Sequence, residues 1–94
     1  MKKLTVFYLV GCPYCNSAKR AAAQLQAEHP EYANIEIDWK DEDQIKQFPE
    51  WCDYYYVPTI YLGEQKLYEA HPGDSDAIVM EHVKNAFEAA LKSE

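Results

Sequence analysis

No run in this chain is apolar for long enough to cross a bilayer, so no membrane span is expected. Met1-Lys2-Lys3 carries charge, but the apolar stretch behind it is short. It has no small-residue cleavage site and is interrupted by Pro13 and Cys15, so it does not read as a secretory signal. The expected location is the cytoplasm. Basic residues are scarce: nine Lys and Arg stand against sixteen Asp and Glu, a formal net charge of −7. Such a surface repels phosphate backbones, which excludes nucleic acid as the expected partner. The charge reads as solubility or as a preference for basic docking surfaces. Three cysteines, an odd number, argue against a secreted disulfide scaffold. No linker, repeat or low-complexity segment stands out. What remains is 94 residues, 48% of them hydrophobic, which predicts one monomeric domain over residues 1–94 with one modest core.

The informative feature is Cys12-Pro13-Tyr14-Cys15, placed where a strand ends and a helix begins. Residues 4–10 read as a buried strand, broken by Gly11. Residues 13–29 read as a helix with proline in its first turn, where the missing N–H costs nothing. Cys15, Ala18, Ala22 and Leu25 recur on one face of it, and Asn16, Lys19, Arg20 and Gln24 cover the other. Residues 34–39 alternate as a half-solvated strand, and residues 41–48 form a short helix candidate halted at Pro49. Residues 57–62 and 65–70 make two more strands joined at Gly63-Glu64, so close in sequence that they should pair antiparallel. Asp74 or Ser75 caps a last helix with Val79, Val83, Phe87, Ala90 and Leu91 on one face. The order is β-α-β-α-β-β-α, an α/β fold. Its first two strands should be parallel, and helices should cover both faces of the sheet.

A helix N-terminus favours a thiolate, because unpaired N–H groups and about half a unit of positive macrodipole charge lie there. Cys12 precedes the helix and is the expected nucleophile. Cys15, one turn inside, is the expected resolving thiol, which attacks the mixed disulfide and releases the substrate. Pro13 and Tyr14 restrain the turn and shape its mouth. The competing use of the pair is metal: zinc, or an iron–sulfur cluster shared between subunits. A structural zinc site needs four ligands. Beyond the motif there are only Cys52 and the scattered His29, His71 and His82, so no metal ligands are assigned.

The CPYC tetrad, the element order and Val57-Pro58-Thr59 together resemble the thioredoxin fold, and CPYC is similar to the signature of dithiol glutaredoxins. The resemblance implies a four-stranded mixed sheet and a cis Val57–Pro58 bond in a loop beside Cys12. It also implies a Val57 backbone that pairs with an extended substrate. It implies a thiol–disulfide oxidoreductase that reduces protein or glutathione mixed disulfides without a tightly bound cofactor. Where glutaredoxins carry a lysine this chain has Leu9. Where they carry Gly-Gly and Asp it has Ala70-His71-Pro72-Gly73-Asp74, and where thioredoxins bury an aspartate it has Val6. Gly73 and Asp74 are the candidate substrate contacts in that stretch. Two electron donors stay open: glutathione, or a flavoprotein reductase as for a thioredoxin.

Five further groups carry weaker signals. Tyr54-Tyr55-Tyr56 precedes Pro58 and divides between packing and walling the substrate groove. Tyr8 reads as core. Cys52 reads as an inert packing residue or an extra redox site. Lys40, expected just after the second strand, is a candidate contact for glutathione, and His71 for a substrate carboxylate or amine.

Overall fold

The computed structural model describes residues 2–93. Four strands, β1 (Leu4–Tyr8), β2 (Ile37–Asp41), β3 (Thr59–Leu62) and β4 (Gln65–Glu69), form one mixed sheet in the order β2-β1-β3-β4. β1 runs parallel to β2 and antiparallel to β3, and β3–β4 is an antiparallel hairpin with an irregularity between Ile60 and Tyr61. The two α-helices are α1 (Pro13–Glu28) and α2 (Asp76–Lys92). This is the thioredoxin-like architecture.

Alternation along β1 decides what each face buries. Leu4 and Val6 point into a core shared with Ala18, Ala22 and Leu25 of α1, Ile60 and Leu62 of β3, and Val79, Val83 and Phe87 of α2. The small side chains of α1 let it lie against α2, and Ser17 Oγ donates to Asp76 Oδ1 at 2.7 Å between the two. Ser75 is the N-cap of α2, its hydroxyl accepting the Ile78 N–H at 3.2 Å. Leu91, expected on the buried face, is 38% exposed, and Ala86 takes its place.

Phe7 points the other way. Its ring stacks on Tyr54 at 5.3 Å and meets Tyr61 edge-on at 5.8 Å, with Phe48 and Trp51 beside it. The segment that supplies these rings covers this face and begins with a single 3-10 turn, Glu42–Gln44. The helix expected over 41–48 therefore reduces to that turn. Asp41 caps it by accepting the Asp43 N–H, and Ile45 is already extended. A helix so short gains little on its own, and the bends and the turn that follow carry Phe48, Trp51 and Tyr54 to Phe7.

β2 begins three residues later than the alternation suggests. Gln26 on α1 donates its side-chain amide to the Tyr32 and Ile35 carbonyls at 3.0 and 3.2 Å, which holds the approach to the strand out of the ladder. Lys40 therefore lies within β2, not after it, and pairs with Asp38 at 3.1 Å. Burial raises the Asp38 carboxyl, but hydrogen bonds from Lys40 and Lys3 outweigh it and hold it below its ordinary value. Among the described residues, no helix is long and apolar enough to cross a membrane.

Candidate active site

β1 ends at Tyr8, and the chain turns through Gly11, whose φ of +84° suits a residue without Cβ, into Cys12. Cys12 is the N-cap of α1 in extended conformation, and Pro13 takes the first helical position. A cysteine at an N-cap does with sulfur what serine does with oxygen: Cys12 Sγ accepts the Cys15 N–H at 3.3 Å. The Cys12 thiol in turn lies 3.8 Å from the Val57 carbonyl, to which it donates.

One turn inside the helix, Cys15 is 0% exposed, whereas Cys12 is half-buried. Burial pushes the Cys15 thiol up to about 12, together with its hydrogen bond to Cys12 and the charges of Cys12 and Glu42, while the Leu9 backbone opposes them. Both cysteines are free thiols here. The chemistry open to the pair is disulfide formation across one helical turn, with one sulfur reachable from solvent and one shielded.

The Val57–Pro58 bond is cis, as the resemblance implied, and Pro58 is buried with its carbonyl accepting the Ala70 N–H at 3.0 Å. Gly73 also comes to this end: its N–H donates to Tyr14 Oη at 2.8 Å. Asp74 lies next to it, but its Oδ2 already accepts from the Tyr68 hydroxyl at 2.5 Å and the His71 N–H at 3.0 Å. The Tyr68 hydrogen bond, then that of the His71 backbone, holds the Asp74 carboxyl below its ordinary value. Val57 thus meets Cys12 directly, Gly73 meets the motif through Tyr14, and the Asp74 carboxylate is turned to Tyr68 and His71.

Lys40 does not join them, since it is paired on the aromatic face. Tyr8 is half-buried, not core, with Lys19 Nζ 3.8 Å above its ring. The tyrosine trio divides: Tyr54 packs on Phe7, while Tyr55 is 90% exposed and Tyr56 52%. Cys52 is half-buried beside Glu42, Phe48 and Tyr54, and burial raises its thiol. Two residues escaped the sequence reading. Glu42 stands at the end of β2, accepts the Tyr54 hydroxyl and acts on Cys15 through its charge. Glu69 holds the loop before Val57. An acid after β2 is a faint signal for the first, and nothing local marks the second. A concavity of about 730 Å³ lies elsewhere, lined by Lys2, Lys3, Phe7 and Trp51 among others and by neither active-site cysteine. Among the described residues no three His, Cys, Asp or Glu side chains converge to hold a metal.

The glutaredoxin family profile matches residues 4–67. A Ricinus communis protein described as "Glutaredoxin" is 30% identical over 81 residues, which cover 84% of this chain and 72% of that relative. No solved structure matches significantly.

Proposed function

The chain belongs to the glutaredoxin family, with thiol–disulfide oxidoreductase activity on the Cys12–Cys15 pair, and on that premise we propose how the two sulfurs divide the work. Cys12 is the nucleophile. Its thiolate attacks a substrate disulfide, one sulfur of that disulfide leaves as a thiolate and takes up a proton, and the other stays bonded to Cys12. Cys15 then loses its proton and attacks Cys12 Sγ. The mixed disulfide breaks, the second substrate thiolate departs and takes up a proton, and the two electrons leave with the two substrate thiols while Cys12 and Cys15 are left oxidised as a disulfide. The observation that carries this assignment is the difference in access: Cys12 caps the helix partly exposed, and Cys15 is 0% exposed one turn deeper.

The test is a pair of variants. Cys15→Ser should accumulate mixed disulfides on Cys12, visible by mass, and Cys12→Ser should lose exchange altogether. The opposite pattern exchanges the roles.

The electron donor we propose is glutathione, in keeping with the family. Two glutathione thiols reduce the Cys12–Cys15 disulfide and leave as glutathione disulfide. Pro13, Tyr14, Val57, Pro58, Gly73 and Asp74 are the residues around which it would bind. A specific observation favours a second reading, a thioredoxin-like reductant served by a flavoprotein reductase. The Gly73 N–H and Asp74 Oδ2 are already engaged by Tyr14, Tyr68 and His71 within the protein. Reduction of the isolated Cys12–Cys15 disulfide separates the two: reduction by glutathione alone supports the first, and reduction only by NADPH with thioredoxin reductase supports the second.

A further inference from the structure

The segment from Asp53 to Val57 belongs to no strand or helix, yet its backbone is held at almost every residue. The Asp53 N–H donates to Tyr61 Oη at 2.9 Å, and the Asp53 carbonyl accepts from Lys66 Nζ at 2.8 Å. The Tyr55 and Tyr56 N–H groups both donate to one carboxylate oxygen, Glu69 Oε2, at 2.9 and 3.1 Å. The Tyr56 carbonyl accepts the Thr59 hydroxyl at 2.5 Å. Glu69 uses its other oxygen on Lys66 Nζ at 2.8 Å, and its side chain is only 18% exposed. A carboxylate that takes two consecutive backbone N–H groups and an ammonium fixes a short stretch of chain as firmly as a strand partner would.

That stretch ends at the site. Val57 follows directly, and its carbonyl is the one within 3.8 Å of Cys12 Sγ. Tyr55, two residues before it, presents a 90% exposed ring from a pinned backbone. Two residues of chain span at most about 7 Å, so the backbone of Tyr55 lies within that distance of Val57.

We propose that Glu69 is a positioning residue for exchange with polypeptide disulfides: by holding the Tyr55 and Tyr56 N–H groups it sets the Val57 backbone edge against Cys12 as a template for an extended substrate segment. This rests on the thiol–disulfide reading above. A strand-like edge recognises main-chain donors and acceptors on either side of the substrate cysteine, and the Tyr55 ring adds a face for a neighbouring side chain. A small disulfide without peptide groups draws nothing from that edge, so the attack of Cys12 on it does not depend on how the edge is held.

The experiment compares second-order rates of the prereduced full chain with two disulfides, an extended cysteine-containing peptide dimer and 2-hydroxyethyl disulfide. Glu69→Ala should slow the peptide reaction about tenfold and leave the small disulfide within about twofold, as expected for losing about 1.4 kcal/mol of substrate alignment. Glu69→Gln keeps an oxygen for the two N–H groups and should recover most of the peptide rate. Lys66→Ala removes the ammonium that Glu69 and the Asp53 carbonyl share and should show the same split at smaller size. An equal loss with both disulfides, or no loss with the peptide, overturns the proposal. So does an unchanged ratio in Lys66→Ala if Glu69→Ala does not fold. An unaltered protein that reduces neither disulfide overturns the underlying reading instead.

Discussion

Tyr14 Oη accepts the Gly73 N–H at 2.8 Å, which ties the residue between the two active-site cysteines to the turn that opens α2. Gly73 has a φ of +94°, so the turn takes a shape that other residues resist and aims its N–H at the motif. Removing the hydroxyl with Tyr14→Phe leaves that N–H to water. The expected loss is about 0.5–1.5 kcal/mol of stability, the ordinary net worth of one hydrogen bond. Amide exchange at Gly73 should quicken while buried amides of α2 stay protected. Unchanged exchange at Gly73 would show that the turn is held without Tyr14.

The resolving step should depend on pH through Cys15. Burial comes first among the causes that raise its thiol, followed by the hydrogen bond to Cys12, with the charges of Cys12 and Glu42 adding to them. Once Cys12 is bonded to substrate, its contributions as thiol partner and charge disappear. Burial and Glu42 remain, so the thiol stays raised but falls below the value of about 12 in the free dithiol. Below its pKa the thiolate fraction, and with it the rate of release from a preformed Cys12 mixed disulfide, should rise about tenfold per pH unit. Glu42→Gln keeps an acceptor for the Tyr54 hydroxyl and removes the opposing charge, moving the profile to lower pH. A rapid-mixing profile that is flat across neutral pH, or is displaced to higher pH in Glu42→Gln, contradicts this account.

The parts of the fold that local chemistry dictates were legible. β1, the glycine turn, the cysteine cap and α1 follow one another within one stretch of chain, and the register of apolar residues on α1 names its buried face. Pro58 took its meaning from the resemblance: its bond to Val57 is cis, and the Val57 carbonyl faces Cys12 Sγ. What escaped depends on partners distant in sequence. The start of β2 is set by Gln26, and the non-helical path after Gln44 by the attraction of Phe48 and Trp51 for Phe7. Lys40 is drawn to Asp38 across the strand face, which removes it from the site. Glu69 stands among strand residues whose alternation says nothing about a loop 13 or 14 residues earlier.

Stability should have both an alkaline and an acid limit. Tyr32 donates to Glu88 at 2.7 Å, Tyr68 to Asp74 at 2.5 Å, and Tyr54 to Glu42. The Glu88 hydrogen bond, then burial, pushes the Tyr32 phenol up to about 12, and burial first, then the carboxylate, raises Tyr54 and Tyr68. Folded values above the unfolded value of about 10 mean that this stability is complete below that pH. It is lost as pH rises toward the folded values. The lowered carboxyls of Asp38, Glu69 and Asp74 act in the opposite sense. Their share is present above about pH 4 and is lost as pH falls through the folded values. Thermal midpoints should therefore be level from about pH 5 to 9 and decline on both sides, with a shallower alkaline decline in Tyr32→Phe. A midpoint that holds steady well above pH 10 would remove the phenol–carboxylate pairs from the account.

Phe7 decides whether the face opposite the helices holds together. It is 2% exposed and touches four other rings, of which Tyr54 belongs to the loop that leads to Val57. Phe7→Ala removes the ring on which Phe48, Trp51 and Tyr54 converge, so the expected cost is about 3–5 kcal/mol. Domains of this kind have about 5–15 kcal/mol in total, so the variant should unfold at much lower denaturant. Phe7→Leu keeps most of the volume and loses the ring geometry, for a cost of about 1–3 kcal/mol. The two variants together separate packing volume from aromatic contact. Because Tyr54 rests on Phe7, the loosened loop should also lower the peptide-disulfide rate in Phe7→Leu more than the rate with 2-hydroxyethyl disulfide. A Phe7→Leu protein as stable as the original, with both rates unchanged, would show that the aromatic face neither holds the sheet nor steadies the loop beside Cys12.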